Sequence, residues 1–554
     1  MQTHEKPNRI TPDIWMKRTS VAPVRIVWQS TGASAPRNAE LLLGLNPGQV
    51  HVWDKVCCQL EQNGQPAGIL LDFGSEIHGG IQIFFGNLSA PDLKVRIRLG
   101  ESVTEAMNDL RNEHSVRDAV FAAPWMGLLE FGQTGFRFLR IDTVGEKNSI
   151  EIRGVRAVAS MRADPLLGSF KCSDKQLDKI WATGARTVQL CMQDYLWDGP
   201  KRDRLVWIGD MVPEADVISA VFGNHMLVSK SLDFIRAKTP PDEWMNTISS
   251  YSLWWIIIQR NWFFNQGDRN YLQSQLDYLW KLVQHISAFI DKNGNHSLPA
   301  AMLDHPTALN PAAVAAGTHA HLFLALTAAE EIFKWLQLHA KAGFCAKLAA
   351  RLATRKIDHQ NSKPAAALFA ISGLADPTAI NSACLAREPL ADFSPFFAHF
   401  ILEARAMAGD HPGCLDAIRK LWGGMLSLGA TSFWEHFDVN WLKNAGRIDE
   451  IVPEGKLDVH KDCGEFCFKG LRHSLCHGWS AGPTAWLSRH ILGFQPSLPG
   501  GMNFSLRPHL CDLKWAEGTW PTSAGIIFVR HEKTRSGGIK TEIKAPKGVK
   551  VRLP

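Results

Sequence analysis

Apolar and polar positions alternate along this chain with two different periods, and the change of period divides it. Up to about Met161 the spacing is short. Ile69, Leu71 and Phe73 fall on alternate positions, as do Ile81, Ile83 and Phe85 after the Gly79-Gly80 break and Val95, Ile97 and Leu99 before Gly100. Phe136, Phe138 and Ile141 continue the theme, followed by Ile150 and Ile152. Runs of period two bounded by Gly, Pro and Asp predict strands, here of a β-sandwich.

From Ser173 the period lengthens. Ser173 followed by Gln176 reads as a capping box. Leu177, Ile180, Trp181, Gly184, Val188, Cys191 and Tyr195 then recur at helical spacing. Further helical stretches are predicted near 213–222, 271–290, 312–339, 345–353, 396–408, 415–428 and 484–492, many of them separated by Gly or Pro. No short solenoid repeat is visible. Successive helices with one apolar face pair either into a closed ring of hairpins or into a solenoid, and the pattern does not choose between them. Beyond Gly493 the helical period stops at Pro496, Pro499, Gly500 and Gly501. Ile526, Phe528 and Arg530, then Ile539, Thr541 and Ile543, alternate again. The expected domains are thus 1–165 (β), 166–494 (α) and 495–554 (a small β domain).

Composition agrees with a core-forming chain. Its 554 residues suggest about three domains, with 45% hydrophobic and 21% charged residues. A net charge of +6 is spread along the sequence, which argues against a nucleic-acid or membrane-surface partner. Leu253–Ile258 (LWWIII) is far shorter than the roughly 20 apolar residues of a membrane span and reads as part of a buried helix. Met1 to Ser20 lacks the apolar core of a signal peptide. The expectation is a cytosolic protein, or a processed or trimmed form of a periplasmic or secreted one. Eleven scattered cysteines do not form a disulfide framework. The 20 Trp against 4 Tyr offer broad apolar faces that suit sugar rings or fill a large helical core.

Three clusters could carry chemistry. Asp198-Gly199-Pro200-Lys201-Arg202-Asp203-Arg204-Leu205-Val206-Trp207-Ile208-Gly209-Asp210 follows the first strong helix, which Gly199-Pro200 must end. Its dense charges fit either a catalytic loop or a structural Arg–Asp network. Thr431-Ser432-Phe433-Trp434-Glu435 sets a carboxylate beside a Trp after Gly429, and could equally be solvated. Ser474–Pro483 (SLCHGWSAGP) carries Cys476 and His477 near Cys463, Cys467 and His473. The C-x₃-C spacing of Cys463 and Cys467 is a poor match to structural zinc sites, so free buried thiols are expected and no metal. No Walker or Rossmann glycine loop and no HExxH motif is present, so no cofactor is expected.

The sequence DGPKRDRLVWIGD at Asp198–Asp210 resembles the catalytic loop of the inverting α-L-rhamnosidases of glycoside hydrolase family 78, which reads D-x-P-x-R-[E/D]-R-x-x-W-x-G-D. TSFWE at Thr431–Glu435 and SLCHGWSAGP at Ser474–Pro483 resemble that family's second and third segments, in order. DFGSEIHGG from Asp72 and RPHLCDLKWAEGTWPT from Arg507 resemble its flanking β domains. The resemblance implies a central (α/α)₆ barrel flanked by an N-terminal β-sandwich and a small C-terminal β-sandwich. It also implies removal of terminal α-L-rhamnose from a glycan or glycoside with inversion. In such a reaction one carboxylic acid protonates the leaving oxygen while a carboxylate roughly 6.5–9.5 Å away activates water. Position by position, Asp203 falls on the general acid and Glu435 on the general base. Asp198 and Asp210 fall on residues that hold sugar hydroxyls, and Arg202, Trp207, Trp434 and His477 would line the sugar subsite.

The family usually has Glu where this chain has Asp203, one methylene shorter. A general acid must keep its proton, and Lys201, Arg202 and Arg204 favour the ionised form unless they face away. Three alternatives stay open on these residues: a hydrolase of a rhamnose-like sugar, a catalytically weak glycan-binding protein on the same scaffold, and a polysaccharide lyase using Tyr195.

Overall fold

The structure, a computed structural model, describes residues 16–45, 56–109, 117–391 and 393–553. Most of the segment on which the signal-peptide reading rests, residues 1–15, lies outside them. Chain contacts divide the protein into two compact units, 1–99 with 117–165, and 100–116 with 166–554.

The first unit is built on strands β1 (Met16–Val21), β2 (Arg25–Gln29), β3 (Cys58–Asn63), β4 (Gly68–Leu88), β5 (Lys94–Gly100), β6 (Arg117–Ala122), β7 (Leu128–Val144) and β8 (Lys147–Arg162). They form one sheet in the order β1-β8-β4-β7-β5-β6, with β2 added to β4 and β3 to β8. The period-two residues explain the core. Ile69, Leu71, Ile81, Ile83, Val95, Ile97, Phe136, Ile150 and Ile152 are all buried in one cluster, because alternate residues of a strand share a face.

The second unit holds the helices. They are α1 (Val103–Met107), α2 (Lys175–Cys191), α3 (Met211–Val221), α4 (Met226–Lys238), α5 (Ser249–Gln266), α6 (Arg269–Ser274), α7 (Leu276–Ser287), α8 (Pro311–Trp335), α9 (His339–Ala353), α10 (Lys363–Ser372), α11 (Pro377–Ile380), α12 (Pro395–Met407), α13 (His411–Ser427) and α14 (Gly482–Trp486). Packing runs α2–α3–α5–α8–α10–α12–α14 and returns to α2, so the helices close on themselves. The return contact is close. Gly184 of α2 lies against Thr484 of α14, and the Thr484 hydroxyl donates to the Trp181 carbonyl at 3.0 Å. LWWIII lies in α5 with every side chain buried. Two helices escaped the periodicity reading, α4 and α10. The start of α2 also differs by one residue from the capping-box reading. Asp174, not Ser173, is the N-cap and accepts from the Gln176 N–H at 2.9 Å. The Ser173 hydroxyl instead accepts from the Lys514 N–H at 2.9 Å.

The remaining strands belong to the same unit. β9 (Ser169–Cys172), β12 (Trp515–Thr522), β13 (Gly525–Lys533) and β14 (Ile539–Lys544) form one antiparallel sheet. β10 (Phe494–Pro496), β11 (Asn503–Leu506) and β15 (Lys550–Arg552) form a smaller one.

Segment 100–109 is bound to the helical unit by charge. The Lys201 ammonium lies 2.9 Å from Glu101 and 3.2 Å from Glu105. It also donates to the carbonyls of Leu471 (3.1 Å) and His473 (2.8 Å). Glu101 in turn accepts from the Leu475 N–H at 2.7 Å. Glu101, Glu105 and His460 converge like a metal site, with the Lys201 ammonium seated against both carboxylates. Burial pushes Glu105 up to about 7 against the lysine's charge. Removing one partner of such a buried set strands the other charges. Lys201→Met is expected to lower the unfolding free energy by about 3–5 kcal/mol. Denaturant titration of the two proteins side by side measures this, and coincident midpoints would contradict it.

Candidate active site

The loop after α2 folds around Asp198. One carboxylate oxygen accepts from the Asp203 N–H at 2.6 Å, the other from the Leu205 N–H at 2.9 Å. The Asp198 carbonyl accepts from the Gly478 N–H at 2.8 Å, which stitches the first motif to the third. Gly199 is required by closeness: a Cβ there would stand 2.7 Å from the Cys476 carbonyl and 2.8 Å from that of Arg202. Lys201 then points into its buried carboxylate pair, and Arg202 turns toward the second motif.

Arg202 is the connecting side chain. Its Nε donates to the Arg472 carbonyl at 2.6 Å, and its Nη2 ion-pairs with Glu435. Its Nη1 lies 3.8 Å from Asp203 Oδ1. Glu435 also accepts from the Ser474 N–H at 3.1 Å and from the Cys467 thiol at 3.6 Å. Its own backbone is fixed on both sides, N–H to the Ser474 carbonyl at 2.9 Å and C=O to the Trp479 indole at 2.8 Å. Arg202 therefore does not face away from Asp203. Arg204 does: it lies over the Trp197 ring and donates to the Pro200 carbonyl at 3.1 Å. Arg472 supplies a second cation, 3.6 Å from Asp203.

These groups open on one cavity of about 240 Å³. Asp198, Arg202, Asp203, Trp207, Asp210, Glu435 and His477 all line it. Trp434 does not. Its side chain is fully buried against Phe437, and its indole N–H meets no acceptor among the described residues. The aromatic wall comes instead from Trp479, stacked on Phe396 at 5.0 Å, and from Tyr251, edge-on to Trp207 at 6.1 Å. Tyr251, His305, Arg472 and Trp479 were missed by the sequence reading. Trp479 stands inside the third motif and could have been found there, whereas Tyr251 and His305 carry no local signal. Tyr195 packs on Phe234 at 4.6 Å and is not part of the cavity wall.

Burial and charge work against each other in this cavity. Burial pushes Asp198 up to about 7, against the charge on His477 and two N–H donors. Burial raises Asp210 as well, though His477 Nε2 lies 3.0 Å away. It holds Glu214, beneath the Gly478 backbone with no partner for either oxygen, far above the usual carboxylate range. For Glu435 the balance tips the other way. Burial works to raise it, but the charges of His477 and Arg202 outweigh burial and keep it below its ordinary value. For His477 burial opposes the charged form, yet Glu435 and Asp210 leave it raised. The Cys467 thiol, 3.3 Å from His305 Nε2, is pushed up to about 12 by burial and by Glu435. The outcome is an ionised carboxylate deep in the wall, only 2% exposed, and a second carboxyl at Asp203 whose side chain is 26% exposed. One guanidinium touches both.

Comparison with known proteins was made in three ways. Residues 165–354 match the family model for the bacterial alpha-L-rhamnosidase six-hairpin glycosidase domain. No curated protein matches in sequence. Among solved structures, the fold is similar to a family 78 rhamnosidase of Bacillus sp. GL1, with a TM-score of 0.70 and 22% identity over 90% of this chain and 54% of that one. A rhamnosidase from Klebsiella oxytoca, solved with rhamnose bound, gives 0.69 and 19% over 86% of this chain and 96% of that one. An α-L-rhamnosidase of Streptomyces avermitilis, solved with L-rhamnose, gives 0.67 and 16% over 90% and 50%. The chain thus spans about half the length of the Bacillus and Streptomyces proteins and nearly all of the Klebsiella one. Its architecture is a multidomain, rhamnosidase-like fold of helices and mainly antiparallel sheets, and it carries the six-hairpin glycosidase domain of the bacterial α-L-rhamnosidase family.

Proposed function

We propose that the protein is an α-L-rhamnosidase-like glycoside hydrolase that removes terminal α-L-rhamnose with inversion. Asp203 acts as the general acid and Glu435 as the general base. The observation that carries this reading is the single Arg202 guanidinium placed between the two carboxyl groups at the wall of one cavity. A group of that size cannot hold them further apart than roughly 9 Å, which is compatible with the separation that leaves room for an attacking water.

The chemistry follows from position. Glu435 is buried and kept ionised, so it can accept a proton from water on the inner side of the sugar ring. Asp203 is the more exposed of the two and lies where a leaving alcohol can depart to solvent. Asp198, Asp210 and His477 present acceptors and donors to the ring hydroxyls, with Trp207 and Trp479 against its apolar faces. The finer layout we propose is an (α/α)₆ barrel over 166–494 between an N-terminal β-sandwich (1–165) and a small C-terminal β domain (495–554). A glycan-binding role without turnover is the second reading, favoured by the two arginines within 4.0 Å of Asp203, because paired cations oppose proton retention.

Glu435→Gln and Asp203→Asn are each expected to reduce release of L-rhamnose from an aryl α-L-rhamnoside by roughly 10²-fold or more. Proton magnetic resonance of the first-formed sugar should show the β anomer. Near-full activity in both variants sinks the assignment, and sugar binding by calorimetry without turnover in the unaltered protein selects the second reading.

Arg202 generates a further expectation. Removing its charge raises the pH at which Glu435 takes up a proton, so the base is lost earlier on acidification. In Arg202→Met the acidic limb of kcat/KM should move up by roughly one pH unit or more. An unmoved limb with only a lowered maximum would assign Arg202 a packing role.

A further inference from the structure

The helices that line the first cavity line a second one at their other ends. Along α5, Tyr251 belongs to the first cavity, while Arg260, Asn261, Phe264 and Asn265 belong to the second. At 1.5 Å per residue, Tyr251 and Arg260 stand roughly 14 Å apart along the axis. The same holds for α3, which is capped by Asp210 at the first cavity and carries Asp216 at the second. A stack of buried rings closes the space between them: Trp479 on Phe396, and Phe400 on Trp254 at 4.6 Å. The second cavity holds about 430 Å³, within the roughly 300–1,000 Å³ of small-molecule sites. It shares Glu403, Arg489 and Pro496 with an adjoining hollow of about 570 Å³, so the two form one elongated groove.

The lining charges are paired with one another. Arg489 holds Asp216 through two bonds of 2.6 and 2.7 Å, with His399 3.2 Å from the same carboxylate. Arg260 holds Glu331 at 2.7 Å, and His490 lies 2.9 Å from Glu403. No unbalanced charge of either sign is left to select an ion. What remains are carboxylate, amide and guanidinium edges around an apolar floor, with Glu331 and Glu403 still 36% and 39% exposed. Alternating donors and acceptors over an apolar surface suit vicinal hydroxyls and a C–H face.

We propose that this groove is a second carbohydrate-binding site, taking a neutral oligosaccharide and holding it without cleaving it. Burial works to raise Asp216 and Glu403, but Arg489 and the neighbouring histidines outweigh it and keep both low. Neither carboxyl therefore stores a proton for a leaving group. The inference does not depend on which sugar the first cavity accepts.

The test uses the full chain carrying Glu435→Gln, titrated calorimetrically with rhamnotetraose, cellotetraose and mannotetraose at millimolar concentration. At least one tetrasaccharide should bind in a manner that survives an added His477→Ala but weakens at least ~10-fold on adding Thr327→Trp, which fills the groove. Arg260→Ala with Glu331→Ala removes a complete ion pair and should weaken the same binding, giving a second measure should the tryptophan variant fail to fold. In the otherwise unaltered protein, Thr327→Trp should leave hydrolysis of a small aryl glycoside unchanged. Absence of binding by all three sugars, or binding lost with His477→Ala and indifferent to both groove variants, overturns the proposal. Failure of the rhamnosidase reading would show as absent turnover and leaves these titrations interpretable.

Discussion

A carboxylate withdrawn from water must find its charge partners inside the protein, and Glu435 finds them in Arg202 and His477. That requirement organises the candidate site. Arg202 can reach Glu435 only if the loop from Asp198 to Asp210 turns back on itself, which the Asp198 carboxylate enforces by capturing two backbone N–H groups of the same loop. The third motif is held to the first by Gly478 and to the second by Ser474. Three segments far apart in sequence thus become one wall because each satisfies a buried polar group of another.

Much of this was legible in the sequence, for identifiable reasons. The period change at Ser173 separated sheet from helix, since the two periods reflect geometry that tertiary packing rarely overrides in long runs. The loop at Asp198 was legible because Gly199-Pro200 breaks a helix and the charges that follow are too dense for an ordinary surface turn. Trp434 shows where proximity in sequence misleads. Consecutive residues in an extended stretch point to opposite sides, so the neighbour of a cavity carboxylate is directed into the core, and the indole at the cavity comes from position 479. The partners of Lys201 were not legible at all. They lie about a hundred residues upstream, in a segment whose pattern shows nothing but a break between strands.

The ring of helices also explains how one scaffold can present two polar hollows of opposite character. At one end, carboxyl groups outnumber their cations, and burial leaves Asp198 and Glu214 shifted upward while Glu435 is held low. Carboxyl groups kept in different protonation states are what proton transfer needs. At the other end each acid faces its own base, and no such difference survives. The aromatic stack between them keeps water from joining the two.

The excursion of residues 100–116 out of one unit and into the other has a consequence for modularity. The helical unit does not own all of its counter-ions, for two of them arrive on a stretch of chain flanked on either side by strands of the β-sheet. A version of the helical part cut at residue 166 would bury an ammonium with nothing opposite it. Shuffling or shortening the leading half of this gene product therefore edits the chemistry of the trailing half, and the two must be inherited together.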